Sequence, residues 1–231
     1  MKQSVVAVIL AAGRGLRMGG ELPKQYLELE GRPILAHTLA AFDKASSIDA
    51  LVIVSNDIEH VKERVLMPYP VSKPVFFVQG GEERQHSVWN AVQFIKECDI
   101  IVIHDGVRPL IAPEVIEKSV KAARLHGASA VGMPCKDTIK ETDHRGFAVR
   151  TPDRSRLWEI HTPQTFKFSL FKSAHEQAAR DGFLGTDDSS LVERLGHPVK
   201  LIEGGYYNIK ITTREDLELA ARLLRNRGEE N

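Results

Sequence analysis

The stretch that decides the fold runs from Ser4 to Tyr26 and reads SVVAVILAAGRGLRMGGELPKQY. It opens with an unbroken run of apolar residues, many of them β-branched, which is typical of a strand that is buried on both faces. Glycines and positively charged side chains follow at once, and Pro23-Lys24 closes the loop. Flexible backbone and cations directly after a buried strand predict a loop that receives an anionic ligand.

Apolar runs of the same kind recur along the chain, and segments with helical spacing separate them. The predicted strands, each expected to be buried on both faces, are SVVAVIL, ALVIVS, VFFV, DIIVIH and ASAVGM. The predicted helices contain Leu35, Leu39 and Phe42; Val88, Val92 and Ile95; and the segment from Pro113 to Gly127, which opens with Pro and closes with Gly. This alternation predicts right-handed βαβ crossovers, and therefore an α/β fold with a doubly wound, mainly parallel sheet.

The alternation lapses between about residues 136 and 165, where threonines, charges and isolated apolar residues are mixed. This segment predicts a β-hairpin arm that projects from the sheet, with its turn at residues 143–146. Beyond it we expect helices near 169–180 and 187–194, a strand at VKLIEG, and a last helix. That helix would start at a capping box of Thr212 and Glu215 and carry an apolar stripe of Leu217, Ala221 and Leu224. We expect one domain over residues 1–231.

The composition excludes several classes of protein. Lysine plus arginine and aspartate plus glutamate both number 31, so the formal net charge is zero, which disfavours a nucleic-acid partner. The two cysteines, Cys98 and Cys135, are far apart and lack metal-ligand spacing, as in a reducing compartment. No apolar run approaches the length of a membrane span. We therefore expect a cytoplasmic protein with no membrane partner, whose anion chemistry depends on locally gathered cations.

The opening loop departs from the two common phosphate-binding motifs. Gly13, Gly15 and Gly19 give G-x-G-x-x-x-G, which is one residue longer than the dinucleotide fingerprint, and no Gly-Lys-Ser/Thr triplet of a Walker A motif follows. Arg14, Arg17 and Lys24 add more cations than one pyrophosphate requires, because backbone and helix dipole suffice for that group. Three cations suit a triphosphate. The alternative is a flexible surface turn with solvated arginines.

Two further segments place polar groups where strands end. QGGEERQHSV, residues 79–88, follows a strand with two glycines, against which a flat base could lie, and offers Ser87 for hydrogen bonding. VIHDGVRP, residues 102–109, puts Asp105 at the carboxyl edge of the sheet, where α/β proteins bind ligands and where one carboxylate could assist Mg²⁺. The alternative for residues 79–88 is an ordinary helix N-terminus, and the alternative for residues 102–109 is a structural Asp-Gly turn. His104 is interpreted as a structural histidine.

Three isolated polar residues elsewhere give weaker evidence for a site. Arg154 and Thr138 lie in the predicted arm, where a polar side chain is usually exposed to solvent. Lys210 stands between Ile209 and Ile211 in a strand-like run, so alternation directs it away from both neighbours, towards a polar cleft or water.

Taken together, seven segments resemble the 2-C-methyl-D-erythritol 4-phosphate cytidylyltransferase family, in order and over almost the whole chain. They are AAGRGLRMGGELPKQY, GGEERQHSV, HDGVRP, VKAARLHGASAVGMPCKDTIK, DRSRLWEIHTPQTF, GTDDSSLVE and NIKITTREDL. Each is weak alone, whereas seven in register are specific. His161 and Glu82 depart from the residues that are common in the family.

The resemblance implies a Rossmann-like nucleotidyltransferase, homodimeric through the arm, that uses a divalent cation, Mg²⁺. It would join CTP to 2-C-methyl-D-erythritol 4-phosphate and release pyrophosphate, in the non-mevalonate route to isoprenoids. The implied transition-state cations are Arg17 and Lys24. The implied contacts to the alcohol phosphate are Arg154, Lys210, Thr138 and Arg108, with Arg154 and Thr138 acting on the neighbouring protomer's site. The implied nucleotide site consists of Ala11, Ala12, Gly13, Gly81, Ser87, Asp105 and Gly106.

The residue types agree with this chemistry. A phosphate monoester has a second pKa near 6 and is already mostly a dianion at neutral pH, so no general base is needed. The obstacle is repulsion, since two unit charges about 4 Å apart repel by roughly 4 kcal/mol at an effective dielectric constant near 20. Magnesium, Arg17 and Lys24 would neutralise the triphosphate, while Arg154 and Lys210 would orient the attacking oxygen. The hypothesis is catalysis by positioning and cations.

Three alternatives remain at this point. Ribitol 5-phosphate cytidylyltransferases share the glycine-rich loop, HD-x-x-RP and NIK, but DRSRLW favours methylerythritol phosphate. An NAD-dependent oxidoreductase is disfavoured by the glycine spacing and by Ser55-Asn56, where an acidic residue would close the second strand. The third is a binding module without catalytic activity on the same fold.

Overall fold

The computed structural model describes residues 4–13 and 22–229, with side chains up to residue 226. Its strands are β1 Val5–Leu10, β2 Glu28–Leu29, β3 Arg32–Pro33, β4 Ala50–Ser55, β5 Val75–Gln79, β6 Ile100–Asp105, β7 Ala128–Pro134, β8 Glu141–Thr142, β9 Ala148–Arg150, β10 Trp158–Lys167 and β11 Lys200–Glu203. Its α-helices are α1 Ile34–Lys44, α2 Ile58–His60, α3 Arg84–Phe94, α4 Pro113–His126, α5 Phe168–Arg180, α6 Asp188–Arg194 and α7 Arg214–Glu229.

Seven strands form one central sheet in the order β11-β7-β10-β6-β1-β4-β5. Every neighbouring pair is parallel except the two that β10 makes with β7 and β6. The chain passes from β1 outward to β4 and β5, then returns to the other side of β1 with β6, so the strand order reverses at β1. Open α/β sheets bind ligands at the carboxyl ends of strands beside such a switch point.

Helices cover both faces of the sheet, as predicted. Along β1, Ala7 and Ile9 pack in the cluster formed with α1 and α4, whereas Val8 packs in the cluster formed with α3 and α5. Side chains alternate across a strand, so a strand between two helical layers needs apolar residues at every position. The mainly parallel, doubly wound α/β fold is confirmed.

One predicted strand is less buried than expected. VFFV forms the edge strand β5, and Phe76 on it is 45% exposed and packs beside the exposed ring of Phe94, with centroids 6.0 Å apart. The prediction of burial on both faces was wrong here because β5 is an edge strand, which pairs within the described residues with β4 alone.

The predicted arm exists but is shorter than expected. β8 and β9 form a hairpin whose turn closes through a hydrogen bond from the Gly146 amide to the Asp143 carbonyl, with Gly146 at a φ of +84°. The predicted end near residue 165 was wrong, because β10 is a full strand of the central sheet. Its register shifts between Ile160 and Gln164, around Pro163, so the sequence shows no regular alternation there.

The last helix is capped one residue later than predicted, since it begins at Arg214. Asp216 accepts a hydrogen bond from the Thr213 amide at 2.9 Å, and the Asp216 amide donates to the Thr213 hydroxyl at 3.3 Å. The capping pair is therefore Thr213 and Asp216 rather than Thr212 and Glu215. The predicted stripe does pack against the core, on the cluster that contains Leu29 and Ile211. None of the helices in the described part of the chain is long and apolar enough to cross a bilayer.

Candidate active site

A cleft of about 530 Å³ opens at the carboxyl ends of β1 and β6. The ends of these strands are adjacent, since Leu10 and Asp105 are register partners. A second cavity of about 440 Å³ continues from it along the end of β5. Eight of the predicted site residues line the cleft: Ala11, Ala12, Gly13, Lys24, Gly81, Ser87, Asp105 and Lys210.

The loop that follows β1 is held from two sides. The Ala11 amide donates to the Val54 carbonyl at 2.8 Å, which extends the strand ladder by one residue. The side-chain amide of Gln25 donates to the Ala11 carbonyl at 2.7 Å, and that of Asn56 donates to the Ala12 carbonyl at 3.0 Å. The main chain at the mouth of the cleft therefore has a fixed orientation.

The second glycine-rich segment turns tightly into α3. The Gly81 amide donates to the Ser87 hydroxyl at 3.0 Å, and Ser87 is buried. A Cβ atom on Gly81 would lie 2.5 Å from Cβ of His86, so the turn requires glycine. The bare main chain at this position forms one wall of the cleft, and its contact with a flat base stays a prediction.

Asp105 is the electrostatic centre of the cleft. Its carboxylate lies 2.9 Å from Lys210 Nζ, 3.3 Å from Arg84 Nε and 3.4 Å from Arg108 Nε. Burial alone would raise the pKa of Asp105, but the three neighbouring cations outweigh it and hold the pKa well below its ordinary value. Asp105 is thus a permanent anion that fixes the positions of the cations around it.

Arg84 bridges two carboxylates, and this link was missed by the sequence reasoning. Its Nη2 lies 2.7 Å from Asp188, which is 1% exposed, while its Nε reaches Asp105. Burial raises the pKa of the Asp188 carboxyl, and the Arg84 guanidinium opposes this effect. Arg84 lies in GGEERQHSV and Asp188 in GTDDSSLVE, but these two segments are far apart in the sequence, and no local pattern predicts that α3 and α6 bring them together.

Buried hydrogen bonds beneath Asp105 fix the end of β6. The Asp105 amide donates to the Thr162 hydroxyl at 3.0 Å, and that hydroxyl lies 3.0 Å from Nδ1 of His104. The other ring nitrogen, Nε2, lies 3.3 Å from the Arg108 carbonyl. A neutral ring that accepts at Nδ1 and donates from Nε2 satisfies both partners, and burial lowers the pKa of His104 to about 3. The interpretation of His104 as structural agrees with this geometry.

Arg108 lies beneath the cleft surface. It is 7% exposed, and its Nη1 donates to the Asn208 carbonyl at 2.8 Å. Asn208 in turn donates to the Thr162 carbonyl at 2.8 Å, so Arg108 joins the segment that carries Lys210 to the end of β6. This arrangement gives Arg108 an internal structural task, and its predicted contact with the alcohol phosphate stays a prediction.

The remaining predicted residues lie elsewhere. Gly106 follows Asp105 and donates to the Leu10 carbonyl, and a Cβ atom on it would lie 2.8 Å from that oxygen. Thr138 and Arg154 are exposed on the arm and its base, where Arg154 donates to the Lys136 carbonyl at 2.6 Å. The described chain does not bring these two residues to its own cleft. Arg17 lies outside the described residues.

The residues present do not build a metal site from protein ligands alone. Within residues 4–13 and 22–229, no three His, Cys, Asp or Glu side chains converge as metal ligands. Asp105 already forms ion pairs with three cations. One carboxylate beside substrate phosphates is an arrangement that Mg²⁺ commonly uses, so the donor set fits an ion held mainly by phosphate.

The fold and the cleft together define a Rossmann-like α/β protein of the nucleotide-binding class, with a site lined by lysine, arginine and carboxylate side chains at the switch point of its sheet. Residues 5–226 match the family model described as 2-C-methyl-D-erythritol 4-phosphate cytidylyltransferase, and the chain belongs to that family.

Individual relatives agree. The chain is 50% identical over 225 residues to the 2-C-methyl-D-erythritol 4-phosphate cytidylyltransferase of Caldanaerobacter subterraneus, which covers 96% of this chain and 99% of the relative. It is 47% identical to that of Geotalea uraniireducens, over 96% and 97% of the two chains. The crystal structure of 4-diphosphocytidyl-2C-methyl-D-erythritol synthase from Anaerococcus prevotii matches with a TM-score of 0.86 and 32% identity, over 97% of both chains. The Thermus thermophilus cytidylyltransferase matches with a TM-score of 0.75 and 31% identity, over 97% of this chain and all of that one.

Proposed function

We propose that this cleft transfers CMP from CTP to 2-C-methyl-D-erythritol 4-phosphate, a step of isoprenoid synthesis by the non-mevalonate route. An oxygen of the alcohol phosphate attacks the α-phosphorus of CTP, and a new P–O bond forms. The bond from the α-phosphorus to the bridging oxygen breaks, and pyrophosphate leaves with the electron pair. The observation that carries the proposal is the convergence of Lys24, Lys210 and Arg84 on one cleft beside the loop after β1.

The nucleotide would lie along the carboxyl edge of the sheet. The Ala11–Gly13 loop would face the phosphates and ribose, because glycine lets ligand and main chain approach closely and main-chain amides bind anionic oxygens. The bare turn at Gly81, held by Ser87, would receive the flat face of the base. These contacts would be mostly with the main chain, which the sequence shows only as patterns of glycine and small residues.

Lys24 and Arg17 would neutralise the triphosphate and the departing pyrophosphate. Cations placed in advance stabilise charge that develops in the transition state, and this is commonly the largest single contribution to catalysis. Lys24 lines the cleft on the turn that follows the opening loop. Arg17 belongs to the same loop by sequence.

The alcohol phosphate would be held by Lys210, with Arg154 and Thr138 supplied by the arm of a second protomer. Arg154 and Thr138 lie on the arm rather than at the cleft of their own chain. The arm also exposes apolar side chains, with Phe147 and Val149 each 65% exposed, as expected of a surface that is covered in a homodimer. Two clamping cations would orient the attacking oxygen in line with the leaving group.

Proton transfer has no place in this mechanism. The attacking phosphate is already mostly a dianion at neutral pH. His104, the histidine nearest in sequence to Asp105, is fully buried, and its pKa of about 3 keeps it neutral. Mg²⁺, bound mainly by the triphosphate beside Asp105, would supply further neutralisation of phosphate charge when present. We propose that the protein works in the cytoplasm, without nucleic-acid or membrane partners.

Pyrophosphate release by the purified chain with CTP and Mg²⁺ tests the proposal. We expect turnover with 2-C-methyl-D-erythritol 4-phosphate and little with ribitol 5-phosphate, because both nearly full-length relatives described above are named for the former. Lys24→Ala should lower kcat by about 10²- to 10³-fold, whereas Lys62→Ala, in an exposed ion pair with Glu59, should not. A preference for ribitol 5-phosphate, or normal turnover by Lys24→Ala, would contradict the proposal.

A further inference from the structure

Gln25 is a buried amide next to the proposed catalytic Lys24. It sits in the middle of the one-turn 3₁₀-helix Lys24–Tyr26, and it is 3% exposed. No side-chain hydrogen bond caps this turn at Pro23. A polar side chain that is almost fully removed from water requires a hydrogen-bond partner, and Gln25 has one at the Ala11 carbonyl, 2.7 Å away.

The Gln25 bond joins the two walls between which a triphosphate would lie. One end of the bond is in the turn that presents Lys24, and the other end is in the loop that follows β1. Tyr26 anchors the same turn further back, because its hydroxyl lies 3.1 Å from that of the fully buried Ser55 at the end of β4. The turn is therefore fixed to the carboxyl ends of both β1 and β4.

The same bond orients the main chain of the loop. In a trans peptide the C=O and N–H groups point in opposite directions. With the Ala11 carbonyl directed at Gln25, the amide of Ala12 faces away from it, and the Asn56 bond to the Ala12 carbonyl sets the amide of Gly13 in the same way. The Gln25 amide thus influences both the cation and the loop that would contact one ligand, whereas Asn56 influences the loop alone.

We infer that Gln25 is a positioning residue for phosphoryl transfer, which acts by holding Lys24 at a fixed distance from the Ala11–Gly13 loop. This inference rests on the proposed function. Catalysis by fixed cations depends on their placement, and an error of about 1 Å can lower a rate on the order of 10²-fold. Gln25 needs no contact with either substrate to have this effect.

The test is a double-mutant cycle measured by pyrophosphate release at saturating substrates. Gln25→Met keeps the length of the side chain but removes the donor, so kcat should fall by about 10- to 100-fold, while KM for CTP changes by less than about threefold. Because Gln25 acts on Lys24 and also orients the Ala11–Gly13 loop, the double variant Lys24→Ala/Gln25→Met should lose clearly less kcat than the product of the two single losses, since coupled residues are not additive.

Asn56→Leu is the matched control, since it removes an amide donor from the next carbonyl of the same loop. The factor by which Asn56→Leu lowers kcat should multiply with the factor for Lys24→Ala in the double variant. An unchanged kcat in Gln25→Met, multiplied penalties in the Lys24/Gln25 double variant, or equal coupling of Asn56 to Lys24 would each overturn the inference.

A replacement variant and a measurement on the unmodified chain complete the experiment. If Gln25→Met does not fold, Gln25→Asn replaces it in the same cycle, since its amide is one methylene too short to reach the Ala11 carbonyl. Absence of turnover in the unmodified chain would count against the proposed function itself. Normal turnover by Gln25→Met, beside a slow Lys24→Ala, would count against this inference alone.

Discussion

Asp105 is the single residue that keeps three cations together inside the folded chain. Lys210, Arg84 and Arg108 would repel one another if they shared this space without an anion. The buried Asp105 carboxylate forms an ion pair with each of the three, and Asp188 forms a second ion pair with Arg84. Arg108 is the cation that depends most on Asp105, because its own side chain is 9% exposed, whereas those of Arg84 and Lys210 are 33% and 37% exposed and can regain water.

Replacement of Asp105 by asparagine tests this role. Asp105→Asn keeps the shape but leaves Arg108 buried beside a neutral group, so the free energy of unfolding should fall by about 3–5 kcal/mol. Urea unfolding at pH 7.5 measures the change. Glu59→Gln, in the exposed pair with Lys62, should change it by less than about 0.5 kcal/mol. A variant at position 105 as stable as the unmodified chain would refute this account of the cleft.

The β8–β9 arm is attached to the central sheet at its base, while its tip is exposed to solvent. Its two legs leave from adjacent strands, since Pro134 at the end of β7 is the register partner of Trp158 at the start of β10. Tyr206 braces this root: its hydroxyl donates to the Pro134 carbonyl at 3.1 Å, and Lys136 Nζ lies 3.2 Å from the centre of its ring. A hairpin held in this way can present Arg154 to a neighbour at a defined place.

Mixed dimers test whether the arm serves the neighbouring site. In the proposed homodimer, Lys24→Ala and Arg154→Ala, co-expressed with different tags, should recover roughly a quarter of normal activity, because half of the dimers would be mixed and each would contain one intact site. Lys24→Ala with Lys210→Ala is the matched control. Both of these residues belong to the cleft of their own chain, so no intact site forms and activity stays low. Absence of recovery in the first mixture would show that Arg154 acts within its own protomer.

At the scale of the whole molecule, buried neutral histidines make the fold sensitive to acid. His104 is fully buried, and His175 is 2% exposed between the rings of Trp89 and Phe171. Burial lowers the pKa of His104 to about 3 and that of His175 to about 4. Below about pH 6.5 the unfolded chain therefore binds protons that the folded chain does not, and stability falls as the pH falls.

We expect the free energy of unfolding to be lower at pH 5 than at pH 7.5, by about 2 kcal/mol for each of these two histidines. Asp105 does not contribute in this window, because its lowered pKa affects stability only below its ordinary value of 3.8. Urea titrations at both pH values check the result. His175→Phe should reduce the difference by about 2 kcal/mol, whereas His126→Asn, on the exposed side of α4, should leave it unchanged. Equal stability at both pH values would exclude this role of the histidines.

Sequence reasoning succeeded where one local pattern decides the outcome. A buried strand followed by glycines and cations was enough to predict β1 and a cleft lined by Lys24, because the carboxyl ends of parallel strands share one edge of the sheet. It failed at β10, whose register shift around Pro163 removes the alternation that marks a strand. It also missed the Arg84–Asp188 and Gln25–Ala11 contacts. These depend on how distant segments pack, and no spacing in the sequence encodes them.

The internal counterion at Asp105 has a consequence for inhibitor chemistry. A phosphate mimic that enters the cleft gains an ion pair with Lys210 only in exchange for part of the pairing of that ammonium with its resident carboxylate, 2.9 Å away. The net gain from negative charge is therefore smaller than the number of nearby cations suggests. Uncharged heterocycles that bond to the fixed main chain at Gly81 avoid this exchange, and they offer the better starting point for tight-binding compounds.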